Sequence, residues 1–167
     1  MNLRDATAAD LPAIDHVYRA SFCDTFAHLY DPEDLATFLA GFTPDRWAAE
    51  FNDLRYAFRV AEVDGAVVGY VKLGPMTLPA EHASGSIEVS QFYILKPHHG
   101  VGIAARLMDW ALAEAARRNA PEIYLSVFTE NHRARRFYER YGFTYVGPYH
   151  FMVGNHADED IIMKKVL

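Results

Sequence analysis

Cysteine is nearly missing from this sequence. Cys23 is the only one in 167 residues, so no disulfide can form within the chain and a cysteine-rich zinc site is excluded. In an apolar helical segment, a lone cysteine reads as a small core residue rather than a reactive thiol. Long apolar runs are also missing. No stretch approaches the ~20 residues that a membrane-spanning helix needs. The opening MNLRDATAADLP lacks the apolar core of a signal peptide, and a cytoplasmic protein is the expectation. Positive charge is in short supply, with 16 Lys and Arg against 22 Asp and Glu and a net charge of −6. That balance disfavours a nucleic-acid surface and is compatible with a cationic substrate.

What is present suits a folded domain. Hydrophobic residues make up 51% of the chain and aromatics 14%, enough to bury a sizeable core and to exclude disorder. There is no repeat, low-complexity tract or long linker, so one domain over residues 1–167 is expected.

The apolar positions divide the chain by period. A short strand near Asn2 to Ala6 leads to Asp10, a candidate helix cap, and Leu11, Ile14, Val17, Tyr18 and Phe22 follow at helical spacing. YDPEDLATFLAGF predicts a second helix, capped by Asp31 with Pro32 at its first position and Gly41 at its exit. TPDRWAAEFNDL repeats the device with Thr43 and Pro44. YAFRVAEV and AVVGYVKL read as strands, and Asp64-Gly65 between them predicts a tight hairpin, because glycine accepts the positive φ required there. A loop from about Pro75 to Gly85 precedes a further strand, SIEVSQFYIL. Ala104, Leu107, Met108, Ala111, Leu112 and Ala115 then mark one face of a helix. EIYLSVF is strand-like, and NHRARRFYERYGF predicts a short helix between the cap Asn131 and Gly142. Two last strands are expected near Thr144 to Tyr149 and Asp160 to Val166. The order predicts an α/β (α+β) architecture, a mixed sheet with helices packed on it.

The stretch ILKPHHGVGIAARLM can be read in four ways. A strand runs through a glycine loop into a helix whose first turn has N–H groups without partners and a positive dipole end. Gly100 and Gly102 would let N–H groups from about Val101 to Ala105, including those of Ile103 and Ala104, surround a pyrophosphate. A Walker loop is excluded because no Gly-Lys-Ser/Thr follows. A dinucleotide fingerprint is disfavoured because Lys96 to His99 separate the strand from the glycines. A metal on His98 and His99 is disfavoured too, since adjacent side chains rarely converge on one ion and the other histidines are scattered. No metal is expected.

SIEVSQFYILKPHHGVGIAARLM resembles the central motif of the GNAT superfamily of acetyl-CoA-dependent N-acetyltransferases. An apolar-Tyr-apolar triplet, Phe92-Tyr93-Ile94, ends the strand. The motif Gln/Arg-x-x-Gly-x-Gly/Ala follows as His99-Gly100-Val101-Gly102-Ile103-Ala104, with His99 in place of the usual Gln or Arg. LSVFTENHRARRFYERYGF resembles the family's second motif. ASFCDTFAHLYDPEDLATFL and DEDIIMKKVL are similar to PaiA-type polyamine acetyltransferases. The resemblance implies a mixed, mostly antiparallel sheet of about six or seven strands flanked by helices. It implies acetyl-CoA as cosubstrate and a small amine, a polyamine among them, as acceptor. Protein N-termini, amino acids and antibiotic amines are alternative acceptors, and a non-catalytic acetyl-CoA sensor is the alternative outside enzymes. A homodimer is compatible with it; neither nucleic acid nor a membrane is an expected partner.

The resemblance assigns residues as well. Phe92, Tyr93 and Ile94 would bond the pantetheine arm through their backbone, with an Ile94 N–H near the thioester carbonyl. His99 to Ala105 would cradle the pyrophosphate. Asn131 would contact pantetheine while capping its helix. Tyr138 matches the general-acid position; its other reading is a core tyrosine in the cluster of Phe137, Tyr141 and Phe143. Glu88 is the candidate base through water, and alternation predicts that it shares a face with Ser90 and Phe92. Its other reading is a carboxylate that orders the sheet or binds the amine. Ser126 stands where some relatives carry a glutamate. Asp24, Asp31, Glu33 and Asp34 would attract a polycation or form a solvated face. One or two of Arg106, Arg133, Arg135 and Arg136, Arg136 foremost, would reach the 3′-phosphate.

Overall fold

In the computed structural model, which describes residues 1–167, twelve main elements follow one another. They are β1 (Asn2–Asp5), α1 (Leu11–Phe26), α2 (Pro32–Ala40), α3 (Pro44–Asn52), β2 (Ala57–Val63) and β3 (Ala66–Pro75). Next come β4 (Ile87–Ile94), α4 (Ile103–Arg117), β5 (Glu122–Phe128), α5 (His132–Arg140), β6 (Thr144–Val153) and β7 (His156–Val166). The strands form one seven-stranded sheet in the order β1-β2-β3-β4-β5-β7-β6. Every pairing is antiparallel except β4 with β5.

Local chemistry sets most of the boundaries. Asp31 accepts the Glu33 N–H at 2.9 Å, Thr43 the Arg46 N–H at 3.2 Å and Asn131 the Ala134 N–H at 3.2 Å, each holding the first turn of its helix. Asp64 and Gly65 both take positive φ, 50° and 79°, in the β2–β3 turn. Helix α5 stops where Gly142, at φ 86°, lets the N–H of Phe143 return to the Tyr138 carbonyl.

Three expectations change. Asp10 begins α1 but makes no cap hydrogen bond. Its carboxylate turns back to the Thr7 N–H at 2.7 Å and to Arg4. The last two strands are longer than expected and join into a hairpin; Pro148 is tolerated inside β6 because β6 is an edge strand with one side unpaired. The third change concerns β4. Lys72 pairs with Gln91 and Leu73 with Val89, so Ser90 is an extra residue, a bulge. The bulge inverts the alternation. Val89, Phe92 and Ile94 pack with α4, whereas Tyr93 packs with α1. Glu88 is therefore on the face opposite Phe92, not on the same one.

Helix α4 covers one face of the sheet. Leu107, Met108, Ala111 and Ala115 pack there on Val71, Val89, Ile123 and Leu125, and α5 adds Tyr138 to the same core. Helices α1 and α3 cover the other face, where Ile14, Val17, Tyr18, Phe22 and Trp47 meet Phe58, Val60 and Tyr70. The feature that positions the site is in the middle. β4 and β5 pair only at Ile87–Ile123 and Glu88–Tyr124. Beyond that point β4 stays with β3 as far as Ile94, while β5 follows β7 as far as Phe128. The two strands diverge and leave a gap through the sheet.

Candidate active site

A cavity of about 580 Å³ occupies this gap. Its walls are Val89 to Ile94 of β4 and Leu125 to Phe128 of β5, so both strands present backbone without a strand partner to it. α5 and the start of α4 wall it on one face of the sheet, while α1, Tyr30 and β7 wall it on the other.

The first end holds two glycines and an uncapped helix start. Gly100 and Gly102 sit at φ 81° and 88°, and a Cβ at either would meet nothing. The strain of that backbone, not a lack of space, is what requires glycine. Gly102 delivers the chain into α4, which has no side-chain cap, so the first N–H groups of a fifteen-residue helix face outward. Gly100, Gly102, Ala104 and Ala105 line the cavity. Val101 is exposed and the Ile103 side chain is buried in the core; each contributes only backbone to this loop. His99 ties the loop together. Its Nε2–H donates to the Ile94 carbonyl at 2.8 Å, and its Nδ1 accepts from Arg133 at 2.9 Å. Arg133 and Arg140 are the arginines that line the cavity; Arg136 is exposed and is not among its walls. Arg135 instead donates to the Thr129 carbonyl at 3.0 Å.

Tyr138 is buried against Phe92, Phe137 and Phe143 with its ring on the cavity. Burial alone raises its phenol above the usual range, and no side chain accepts its proton. The hydroxyl is thus a proton donor at neutral pH. Phe92, Tyr93, Ile94 and Asn131 line the same space. Tyr138 is thus a core tyrosine that also lines the cavity.

Glu88 is not part of these walls. It is 7% exposed, at the closed base of the strand gap, and its carboxylate accepts the Thr77 N–H at 2.8 Å and the Thr77 hydroxyl at 3.0 Å. Burial raises its carboxyl, against the pull of those hydrogen bonds. Its placement matches a carboxylate that orders the loop over the sheet. Nor do Asp24, Asp31, Glu33 or Asp34 reach the cavity. Asp31 caps α2, and Asp34 accepts the Asn155 N–H at 3.1 Å, which pins α2 to the β6–β7 turn.

The acidity of the cavity comes from β7, where sequence reasoning had not placed it. Asp158 and Asp160 alternate onto the α1 face and line its far end. Tyr30 donates to Asp158, and His156 lies 3.2 Å from the same carboxylate. Asp160 has no such partner. Burial and the neighbouring Asp158 raise its carboxyl from 3.8 to about 7. A signal did exist in HADEDIIM: Asp158, Asp160 and Ile162 share one face, so two carboxylates precede an apolar residue on an inward-facing row.

A strand gap, an uncapped helix start behind two left-handed glycines and a buried phenol thus meet in one cavity. Residues 15–143 match the model of the acetyltransferase (GNAT) family. The chain belongs to that family and is an acetyl-CoA-dependent N-acetyltransferase. An uncharacterized N-acetyltransferase of Mycobacterium tuberculosis (strain H37Rv) is 36% identical over 137 residues, 81% of this chain and 84% of that protein. A probable spermine N(1)-acetyltransferase of Bacillus subtilis subsp. natto is 28% identical over 90 residues, 53% of this chain and 59% of that protein. The crystal structure of the PaiA N-acetyltransferase from Thermoplasma acidophilum, in complex with coenzyme A, superposes with a TM-score of 0.78 at 19% identity. The match covers 99% of this chain and 98% of that one, and it shows the fold.

Proposed function

We propose that the protein passes an acetyl group directly from acetyl-CoA to the primary amine of a small cationic acceptor, with a polyamine as the leading class. One observation carries this reading: the cavity is bipolar. Arg133 and the start of α4 stand at one end, and the carboxylates of Asp158 and Asp160 at the other. A doubly charged pyrophosphate suits the first end and an ammonium the second. An acceptor with its own carboxylate beside the amine would meet like charge there. The probable spermine acetyltransferase among the relatives, and the coenzyme A held by the PaiA structure, support the same reading. So does the likeness of DEDIIMKKVL to PaiA-type enzymes. A reaction that consumes acetyl-CoA suits a cytoplasmic enzyme.

Acetyl-CoA supplies an activated acyl group and a thiolate leaving group. The residues divide the remaining work. N–H groups of Ile103, Ala104 and Ala105 hold the pyrophosphate, with Gly100 and Gly102 keeping Cβ atoms out of its approach. Backbone groups of Phe92 to Ile94 extend the sheet edge to the pantetheine arm, and Asn131 meets it from α5. The Ile94 N–H polarises the acetyl carbonyl. Tyr138 gives its proton to the departing sulfur.

Release of free thiol from acetyl-CoA tests this, with spermidine, spermine, amino acids and peptides as acceptors. Turnover that favours polyamines is the expected result. Turnover only with amino acids or peptide N-termini would move the acceptor to that class. Coenzyme A binding without turnover on any amine would make the protein a sensor instead.

A further inference from the structure

We infer that Asp160 is the residue that receives the acceptor's ammonium and takes its proton, in a cation subsite formed with Asp158 and Ser21. The inference deepens the reading above and rests on it for the transfer step, although not for amine binding.

Three observations carry it. First, Asp160 is 8% exposed and lines the cavity, and its carboxylate has no hydrogen bond or ion pair within the chain. A carboxylate this buried normally has a partner, because an unpaired buried charge costs several kcal/mol, roughly. Second, a further orphan lies in the same cavity. Ser21 on α1 is 6% exposed, and its hydroxyl has no partner, not even a carbonyl of its own helix. Two lining residues from α1 and β7 thus carry polar groups that no group of the chain satisfies. Third, the two walls are locked together. Phe26 of α1 packs edge-on to Phe128 at 5.9 Å, and Phe128 is the β5 register partner of Asp160. Tyr30 stacks on Phe22 at 5.9 Å and donates to Asp158.

The groups around Asp160 leave the cation to the ligand. Asp158 stands beside it on β7, Tyr93 faces it from β4, Tyr30 from the turn after α1, and Tyr149 from β6. His156 pairs with Asp158, not with Asp160, and packs edge-on to Tyr30. No lysine or arginine is among them. Asp158 already accepts a hydrogen bond from Tyr30, which leaves Asp160 as the carboxylate of the pair without a donor.

The step balances. The ammonium gives one proton to the Asp160 carboxylate, and the freed amine forms a C–N bond with the acetyl carbon. The C–S bond breaks, and sulfur takes the proton of Tyr138. The second proton of the nitrogen restores the phenol, and Asp160 releases its own to solvent. Tyr138 belongs to the α4 face of the sheet and Asp160 to the α1 face, so the gap between β4 and β5 keeps donor and acceptor apart. This also explains how Glu88 can be tied to Thr77 without cost to the chemistry.

Amine binding to the coenzyme A-loaded protein tests the inference without turnover. The probes are 1,4-diaminobutane and n-butylamine, with 1-butanol as the uncharged control, titrated calorimetrically between pH 5.5 and 8.5. Both amines stay protonated throughout, and the 3′-phosphate of coenzyme A titrates alike in wild type and variant, so a pH dependence lost in Asp160→Asn belongs to Asp160. The expected result is amine binding at pH 8, at least tenfold weaker at pH 5.5, and none for butanol. Asp160→Asn is expected to lower amine affinity at least tenfold at pH 8 and to abolish the pH dependence, with coenzyme A affinity unchanged. With turnover, kcat/KM of the wild type rises through about pH 7, where Asp160 ionises, and Asp160→Asn loses that limb. Three results would overturn the inference: no amine binding, amine affinity unchanged in Asp160→Asn, or a pH limb that survives in Asp160→Asn and disappears in His156→Gln. Failure of the transfer reading is seen separately, as no thiol release from acetyl-CoA while amines still bind.

Discussion

Tyr138 and Asp160 line one cavity from opposite faces of one sheet. This is possible only because β4 and β5 stop pairing after Glu88 and Tyr124. In a continuous sheet, hydrogen-bonded backbone would separate the two groups. The parting of two strands therefore opens one cavity to a phenol held in the α4–α5 core and to a carboxylate held under α1.

Replacing Tyr138 by Phe isolates the acid. General acid catalysis is worth roughly 10²–10⁴ in rate. Since the hydroxyl has no partner within the chain, its removal leaves stability within about 1 kcal/mol of the wild type. We expect kcat to fall about a hundredfold or more while coenzyme A affinity stays nearly unchanged. An unaffected kcat removes the acid assignment. Steady-state kinetics and coenzyme A titration read the two quantities.

Gly102 reports on the anion cradle. Valine at φ 88° is a strained conformation costing about 1–2 kcal/mol. Relief of that strain rotates the peptide groups that lead into α4. Coenzyme A affinity is expected to drop at least about tenfold, the equivalent of ~1.4 kcal/mol. Calorimetry that finds the wild-type affinity would defeat the cradle.

His99 can be exchanged for the residue that the family pattern has there. A glutamine amide can donate to the Ile94 carbonyl and accept from Arg133, the two bonds that the imidazole makes. His99→Gln should keep coenzyme A affinity within about threefold, a difference under ~0.7 kcal/mol. His99→Ala frees both Arg133 and the end of β4 and should weaken binding more. Equal affinities for the two variants would show that the imidazole holds nothing of consequence.

Asp160 also predicts a dependence of stability on pH. Its carboxyl is raised in the folded protein from 3.8 to about 7. A raised acid favours folding below its unfolded value, and that contribution is lost as pH climbs through the folded value. Full conversion of the shift gives roughly 4 kcal/mol, and water in the open cavity screens part of it, leaving about 2 kcal/mol. Asp160→Asn should therefore be more stable than the wild type by about 2 kcal/mol at pH 8, with the advantage shrinking to nothing below pH about 4. Denaturant unfolding at the two pH values measures it. No gain at pH 8 would mean that Asp160 is not held unpaired.

Local rules made much of the chain legible. Asp31, Thr43, Asn131, Asp64-Gly65 and Gly142 act through bonds or dihedral angles within a few residues of themselves, and each does what its spacing predicts. Gly100 and Gly102 belong to the same class. Glu88 does not. Its orientation depends on one extra residue in β4, and Ser90 carries no signal that would announce a bulge. The absence of Arg136 from the cavity walls has a similar reason. Which side of a short, basic helix meets the cavity depends on how α5 packs, and the packing selects Arg133 and Arg140.

The sequence by itself determined the elements, their order and the two-glycine turn into α4, because periodicity, caps and glycines act over short distances. It also supplied Tyr138 through a motif. Only the tertiary structure decided where the negative charge collects. Asp158 and Asp160 are more than a hundred residues from Ser21 and Tyr30, and nothing local requires them to meet. They share a cavity because β7 inserts beside β5, the β6–β7 turn is pinned to α2 through Asp34, and Tyr30 closes on Asp158. Burial in that assembly, not the chemistry of aspartate alone, brings Asp160 close to neutrality.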